Sequence, residues 1–360
     1  MKTFSLMTAI LLAMLCAFQE TPAQAPSGEK APHWWGQGMP PRPVKNPRAR
    51  ELPLISVRGN RFVNAKGDTV LFRGLAIADP DKIDGQGRWG KELFQKAAEM
   101  GARLIRIPVH PVAWRERTPG KYLALLDQAV EWCTDLGIYV IIDWHSIGNL
   151  KAELFQNPMY NTSLQETFEF WRTIARHFGG NTTVAFYEIF NEPTLWSGRL
   201  GRMSWDEWKK INEDIIAMIR SYDSETIPLV AGLDWAYDLS PLRINPVEAA
   251  GIGYVTHPYA QKRSKPWEIK WEENFGFAAD QFPLVATEFG FSEERPGTVE
   301  SEEYGNAIIR YLEGRGISWV AWVFDPEWRP AMMASWEPFG LTSSGEFFKR
   351  AMHGQIAGQK

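Results

Sequence analysis

Eight short apolar runs, each followed by an amphipathic stretch, restrict this chain to very few folds. The runs occupy residues 70–75, 104–108, 139–143, 184–191, 228–233, 252–257, 284–288 and 317–324. Helix-period patterns follow at 91–100, 122–136, 164–178, 205–221, 264–281, 302–313 and 344–352, and only 235–250 lacks a firm one. A strand that is apolar at nearly every position is buried on both faces, the condition of a parallel strand covered by helices. Eight such strands can close on themselves. The pattern therefore predicts an α/β fold, a (β/α)8 TIM barrel, as one domain over 53–354 with 355–360 as a tail. A hairpin is expected at its start, where Ile55-Ser56-Val57 and Phe62-Val63 flank a turn at Arg58-Gly59-Asn60.

The preceding residues differ in character. Lys2, the apolar run from Leu6 to Phe18 and the small residues of Thr21-Pro22-Ala23-Gln24-Ala25 have the pattern of a signal peptide over 1–25, cleaved near Ala23 to Ala25. The run is too short to span a bilayer, so a secreted or periplasmic protein without a membrane anchor is expected. Pro26, Pro32, Pro40, Pro41, Pro43 and Pro47 make 26–52 a Pro/Gly-rich arm or linker. Within it His33-Trp34-Trp35 is odd for a plain linker; loosely packed aromatics are the first expectation, with packing against the barrel or contact with sugar as the alternatives. Cleavage would leave Cys133 as the remaining cysteine, on a helix pattern that favours burial, and would rule out an intrachain disulfide.

A net charge of −4 gives no broad basic field for nucleic acid or an anionic membrane. No phosphate-cradling glycine motif is present, and His110, His145, His257 and Asp143 lack close metal-ligand spacing, so neither cofactor nor metal is expected. A monomer is expected. The aromatic surplus, with 17 Trp, points elsewhere: an indole offers a flat apolar face to the similarly flat face of a pyranose ring.

Side chains at the carboxyl ends of barrel strands meet in one pit. Read at those ends, the chain supplies Arg73, Arg106 with His110, Asp143 with His145, Asn191 with Glu192, Asp234 with Trp235, His257 with Tyr259, Glu288 and Trp322. Two of the runs stop on a lone acid, Glu192 and Glu288. One reading is a pair of acids facing a common site; the other pairs them with Arg73 and Arg106 as structural ion pairs.

Phe72-Arg73-Gly74, Arg106-Ile107-Pro108, Asp143-Trp144-His145, Asn191-Glu192-Pro193, His257-Pro258-Tyr259, Thr287-Glu288-Phe289-Gly290 and Trp322-Val323-Phe324 occur in that order on successive strands. Together they resemble glycoside hydrolase family 5, the cellulase-type family of clan A. The resemblance implies retention by double displacement, with Glu192 as acid/base and Glu288 as nucleophile. It implies that Arg73 and Tyr259 hold the nucleophile, that Asn191 bonds the sugar 2-hydroxyl, that His145 and His257 orient the site, and that Trp322 lies beneath the sugar. The activity implied is that of an endo-β-glycosidase on β-1,4-linked polysaccharide or oligosaccharide, β-glucan foremost. Endo-β-mannanase, xyloglucanase and exo-acting β-glucosidase of the same family stay open, as does, from another class, a noncatalytic carbohydrate-binding barrel. Trp235 is expected as a further cleft contact, Trp267 and Trp271 as a buried helix stripe, and 325–339 as a cleft wall.

Overall fold

The strands observed are β1 (Arg73–Ile77), β2 (Leu104–Val109), β3 (Tyr139–Trp144), β4 (Val184–Glu188), β5 (Ile227–Ala231), β6 (Gly253–Thr256), β7 (Leu284–Phe289) and β8 (Ser318–Phe324). They pair in parallel in sequence order, and β8 closes onto β1. The computed structural model describes residues 33–38, 40, 51–194, 198–292, 301–356 and 358; the leader-like stretch and most of the Pro-rich arm lie outside them. Among the described residues no helix is long and apolar enough to cross a membrane.

Two apolar layers hold the barrel. Inside it, Phe72, Leu104, Ile141, Phe186, Leu229, Val255, Val285 and Val320 fill the bore. The expected hairpin, Ser56–Arg58 paired antiparallel with Arg61–Val63, plugs the amino-terminal end by setting Phe62 edge-on against Phe186 at 5.0 Å. The second layer lies between strands and helices and takes up Trp114, Trp171, Trp208, Trp271 and Trp319, each fully buried. Much of the tryptophan surplus is therefore core. Buried indole N–H groups need acceptors, and two of them tie helices to the rim of the pit: Trp171 donates to the Ile189 carbonyl and Trp208 to that of Ala231, both at 2.8 Å.

The expected helices at 91–100, 164–178, 205–221 and 302–313 form at Lys91–Glu99, Leu164–Phe178, Trp205–Arg220 and Glu302–Gly314. Ser163 caps the second, and a reciprocal Ser204–Glu207 capping box starts the third. The helix expected over 264–281 is broken into Trp267–Asn274 and a 3-10 turn, Gly276–Asp280. Phe275 leaves helical backbone so that Gly276 can pass under the Tyr311 hydroxyl, where a Cβ would lie 1.7 Å from that oxygen. Trp267 and Trp271 are buried as expected, with parallel rings 6.0 Å apart. Trp34, on the single turn Trp34–Gln37, lies against the helix layer: its Nε1 donates to Glu166 at 2.9 Å and its ring meets Trp114.

The first strand begins later than the apolar run suggests. Val70 donates its N–H to the Phe62 carbonyl of the hairpin, so the barrel ladder starts only at Arg73, which pairs with Trp319. This shift places Arg73 at the opposite end of the barrel from the pit.

Candidate active site

Glu192 follows β4, and its backbone pairs with Ile147 in a small sheet outside the barrel rim, which fixes where the carboxylate points. Glu288 stands near the end of β7. Relative exposures of 8% and 7% show that both acids reach the cleft, whereas Arg106, Asp143 and Glu188 beneath them are sealed at 0%. One oxygen of Glu192 and one of Glu288 lie within 4.8 Å of each other.

Arg106 is the centre of the floor. Its Nε and Nη2 grip Glu188 at 2.8 and 2.9 Å, Nη2 also reaches Asp143 at 3.0 Å and Asn191 Oδ1 at 2.5 Å, and Nη1 donates to Glu288 Oε2 at 3.2 Å. Tyr259 donates to the other Glu288 oxygen at 2.8 Å. Burial and the Glu288 charge push the Tyr259 hydroxyl well above its usual range, so it remains a donor. Because Arg106 takes the Asn191 oxygen, the carboxamide orientation is set and Asn191 Nδ2 is left without a protein partner.

The expectation that Arg73 holds the nucleophile is corrected. Arg73 bonds Glu313 at 2.8 and 3.0 Å in the helix layer, at the start of β1, and Arg106 takes the place assigned to it. Arg73→Ala should consequently lower stability, by removing the guanidinium paired with the buried Glu313 carboxylate, while kcat/KM of the folded fraction stays within about twofold. A loss of kcat/KM beyond tenfold at unchanged melting temperature would restore Arg73 to the site.

His257 links the two sides of the floor. Thr287 donates its hydroxyl proton to Glu188, so its oxygen accepts from His257 Nε2–H at 3.0 Å. The opposite ring nitrogen, Nδ1, is 3.0 Å from Glu192 Oε1, and that contact holds together only with one proton in it, on either partner. Burial disfavours the imidazolium, but Glu288, Glu188 and Glu192 outweigh it and raise His257 above its ordinary value. His145 is the reverse case: burial, His110 and Arg106 push it well below its ordinary value, leaving a neutral ring whose Nδ1 bonds Asp143 at 2.7 Å. Its face stacks on Trp322, interplanar angle 5°. Burial raises the Glu288 carboxyl against the pull of His257 and Arg106, and Glu192 adds to the rise. Burial also acts on Glu188, but there Arg106 and His257 prevail and bring it down to about 2.

Glu192, His257 and Glu288 present three donor atoms close enough for a cation. The fit is poor, since Nδ1 of that imidazole is committed to Glu192 and Nε2 to Thr287, leaving no free lone pair.

The cleft above has a volume of about 940 Å³ and is walled by His110, Tyr160, Trp235, Trp322 and Trp328. Trp328, Arg329 and Pro330 bring the 325–339 segment to one side of it, as expected. Of the site residues read from sequence, Glu192, Glu288, His145, Tyr259, Trp322 and Trp235 line the cleft, and Asn191 and His257 lie directly beneath. Gln156, Tyr160 and Lys262 also line it and were not anticipated. Glu188, sealed beneath the cleft, was not anticipated either, although an acid inside the apolar run 184–191 is a signal that an internal cation faces it.

A closed parallel barrel with paired acids at the floor of an aromatic cleft is the arrangement that cleavage of a glycosidic bond by two carboxyls needs. The chain belongs to the cellulase family, glycosyl hydrolase family 5, whose model matches residues 63–327. It is similar to a crystallised β-glucanase from Saccharophagus degradans, with 44% identity and a TM-score of 0.84 over 89% of this chain and 99% of that one. A second structure of that β-glucanase is a complex with cellotetraose, at 43% identity and the same TM-score of 0.84. Among curated relatives, Endoglucanase E-5 of Thermobifida fusca is 26% identical over 82% of this chain, and an endoglucanase of Clostridium saccharobutylicum is 28% identical over 66%. The chain spans 62% and 51% of the lengths of those two.

Proposed function

We propose that the protein is a retaining endo-β-1,4-glucanase in which Glu192 is the acid/base and Glu288 the nucleophile. The observation that carries the mechanism is the approach of the two carboxylates to within 4.8 Å. Retaining glycosidases need carboxyl groups about 5–5.5 Å apart, whereas inversion needs about 6.5–9.5 Å to admit a water. In the first step Glu192 gives its proton to the glycosidic oxygen as Glu288 attacks the anomeric carbon, and the carbon–oxygen bond to the leaving sugar breaks. In the second, water attacks that carbon, Glu192 takes its proton, and the ester to Glu288 opens.

The surrounding groups serve those steps. Tyr259 and Arg106 each hold one oxygen of Glu288 and so fix its rotamer. Asn191 Nδ2 is the donor available to the 2-hydroxyl, a bond that strengthens as the ring approaches the oxocarbenium-like state. The contact of His257 Nδ1 with Glu192 Oε1 at 3.0 Å holds the acid/base carboxyl in place. The β-glucan substrate is supported by the names of the relatives and the cellotetraose complex of the similar β-glucanase. The leader-like residues 1–25 support export, where a polysaccharide too large to enter a cell would be met.

The test is a panel of carboxymethyl cellulose, mixed-linkage β-glucan, mannan, xyloglucan and xylan, with the anomer of the first product read by NMR. The expected result is highest activity on one of the two glucans, with β-anomer released first. Mannan or xylan as the best substrate would overturn the substrate, and α-anomer released first would overturn retention.

A further inference from the structure

The loop after β5 adopts a backbone that its sequence does not invite. Asp234, Trp235 and Ala236 all lie in the left-handed region, with φ of 59°, 55° and 57°. None is glycine, and each such residue costs about 1–2 kcal/mol. Strain of this kind persists only where the surroundings over-determine it, and it gathers at functional sites. Reciprocal bonds between Leu233 and Asp238, at 3.1 and 2.8 Å, close the loop at its base. Lys262 reaches in from the segment after β6, and its Nζ donates to the Asp234 carbonyl at 2.9 Å and lies 3.4 Å from that of Trp235. The same ammonium lies 5.2 Å from the centre of the Trp235 ring. From the other side Gln156 Oε1 accepts the Trp235 indole N–H at 2.9 Å. The product of these contacts is a half-buried indole fixed in the cleft wall.

Its position in the barrel says which part of a substrate it meets. Trp235 follows β5, the neighbour of β4, after which Glu192 stands; Trp322 is on β8, the neighbour of β7, which carries Glu288. The Glu192 charge acts on the Lys262 ammonium more strongly than that of Glu288. The acid protonates the leaving oxygen, so the wall beside the acid faces the departing sugar chain. We propose that Lys262 and Gln156 are positioning residues that clamp Trp235, through the left-handed turn, as the stacking platform for the leaving-side sugars. This rests on the glucanase reading above.

The experiment compares Trp235→Ala, Lys262→Met, Gln156→Ala and the Trp235→Ala/Lys262→Met double variant on two substrates. Cellopentaose places sugars on the leaving side, and 2,4-dinitrophenyl β-cellobioside places none there. Trp235→Ala and Lys262→Met should each reduce kcat/KM on cellopentaose about tenfold, mainly through KM, the scale of one aromatic contact. Gln156→Ala should show the same selective loss, more weakly, and serves as the test if Lys262→Met does not fold. The double variant should be no worse than Trp235→Ala alone, because Lys262 acts through the ring. Additive losses, or equal losses on both substrates, would overturn the clamp while leaving the glucanase reading intact. A wild-type protein inactive on both substrates would overturn that reading, and the clamp with it.

Discussion

Glu288→Gln is expected to reduce kcat on β-glucan by about 10⁴-fold or more, which is about 5–6 kcal/mol of transition-state stabilisation. The change removes the attacking oxygen but keeps the shape: the carboxamide oxygen can accept from Arg106 while its NH2 donates to the Tyr259 hydroxyl, so folding should be preserved. Glu192→Gln should behave differently. On cellulose-type substrates the loss should be about 10²–10⁴-fold, the value of a positioned general acid. With 2,4-dinitrophenyl β-cellobioside the leaving group needs no proton, so formation of the glycosyl-enzyme should survive and its hydrolysis should become limiting. Mass spectrometry should then find the cellobiosyl group on Glu288. Azide should rescue Glu192→Ala and yield the β-glycosyl azide. Equal loss on activated and natural substrates, or label on any other residue, would reject the two assignments.

Arg106→Met carries the second large effect, and it falls on stability as much as on rate. The substitution strips the one guanidinium that faces Asp143, Glu188 and Glu288, all buried, and breaking buried ion pairs from one side costs about 3–5 kcal/mol. For a domain of this size the melting temperature should fall by about 10 °C. The Glu188 contribution to the pH dependence should also change sign. In the wild type Glu188 is depressed to about 2 from an ordinary 4.5, so its contribution is complete above 4.5 and is lost as pH falls toward 2. Without Arg106, burial would raise Glu188 as well and lift Asp143 and Glu288, already raised in the wild type, further above their unfolded values, so stability would increase more steeply as pH is lowered from 7 to 5. Unfolding free energies measured over pH 3–8 check this, and a variant with the wild-type slope would show that Arg106 does not carry the network.

The functional loss in Arg106→Met has two routes visible in the contacts. Asn191 loses the partner that orients its carboxamide toward the sugar, and Glu288 loses the donor to Oε2. Arg106→Lys would not restore both, because an ammonium is a single point charge, whereas the guanidinium here serves four side chains from three nitrogens.

What the chain declares by itself is periodicity and the identity of its strand-end residues. Runs apolar at nearly every position point to a covered parallel sheet, and eight of them can close on themselves, so the barrel and the pit at its carboxyl ends were expected without reference to contacts. The gathering of Glu192, Glu288, Asn191, His257 and Tyr259 was legible because side chains at the carboxyl ends of barrel strands meet in one pit, while the role expected of each came from the family resemblance. Register was not legible. Val70 joins the hairpin instead of the ladder, a long-range choice that shifts β1 and carries Arg73 from the pit to the far end of the barrel. The i, i+4 spacing of Trp267 and Trp271 marked a buried helix stripe and the strand-end place of Trp235 marked a cleft contact, both as found, but how the Trp235 ring is held was not legible. The left-handed turn at Asp234–Ala236 is the extreme case: local preference opposes it, and only partners brought from 156 and 262 by the closed barrel hold it in place.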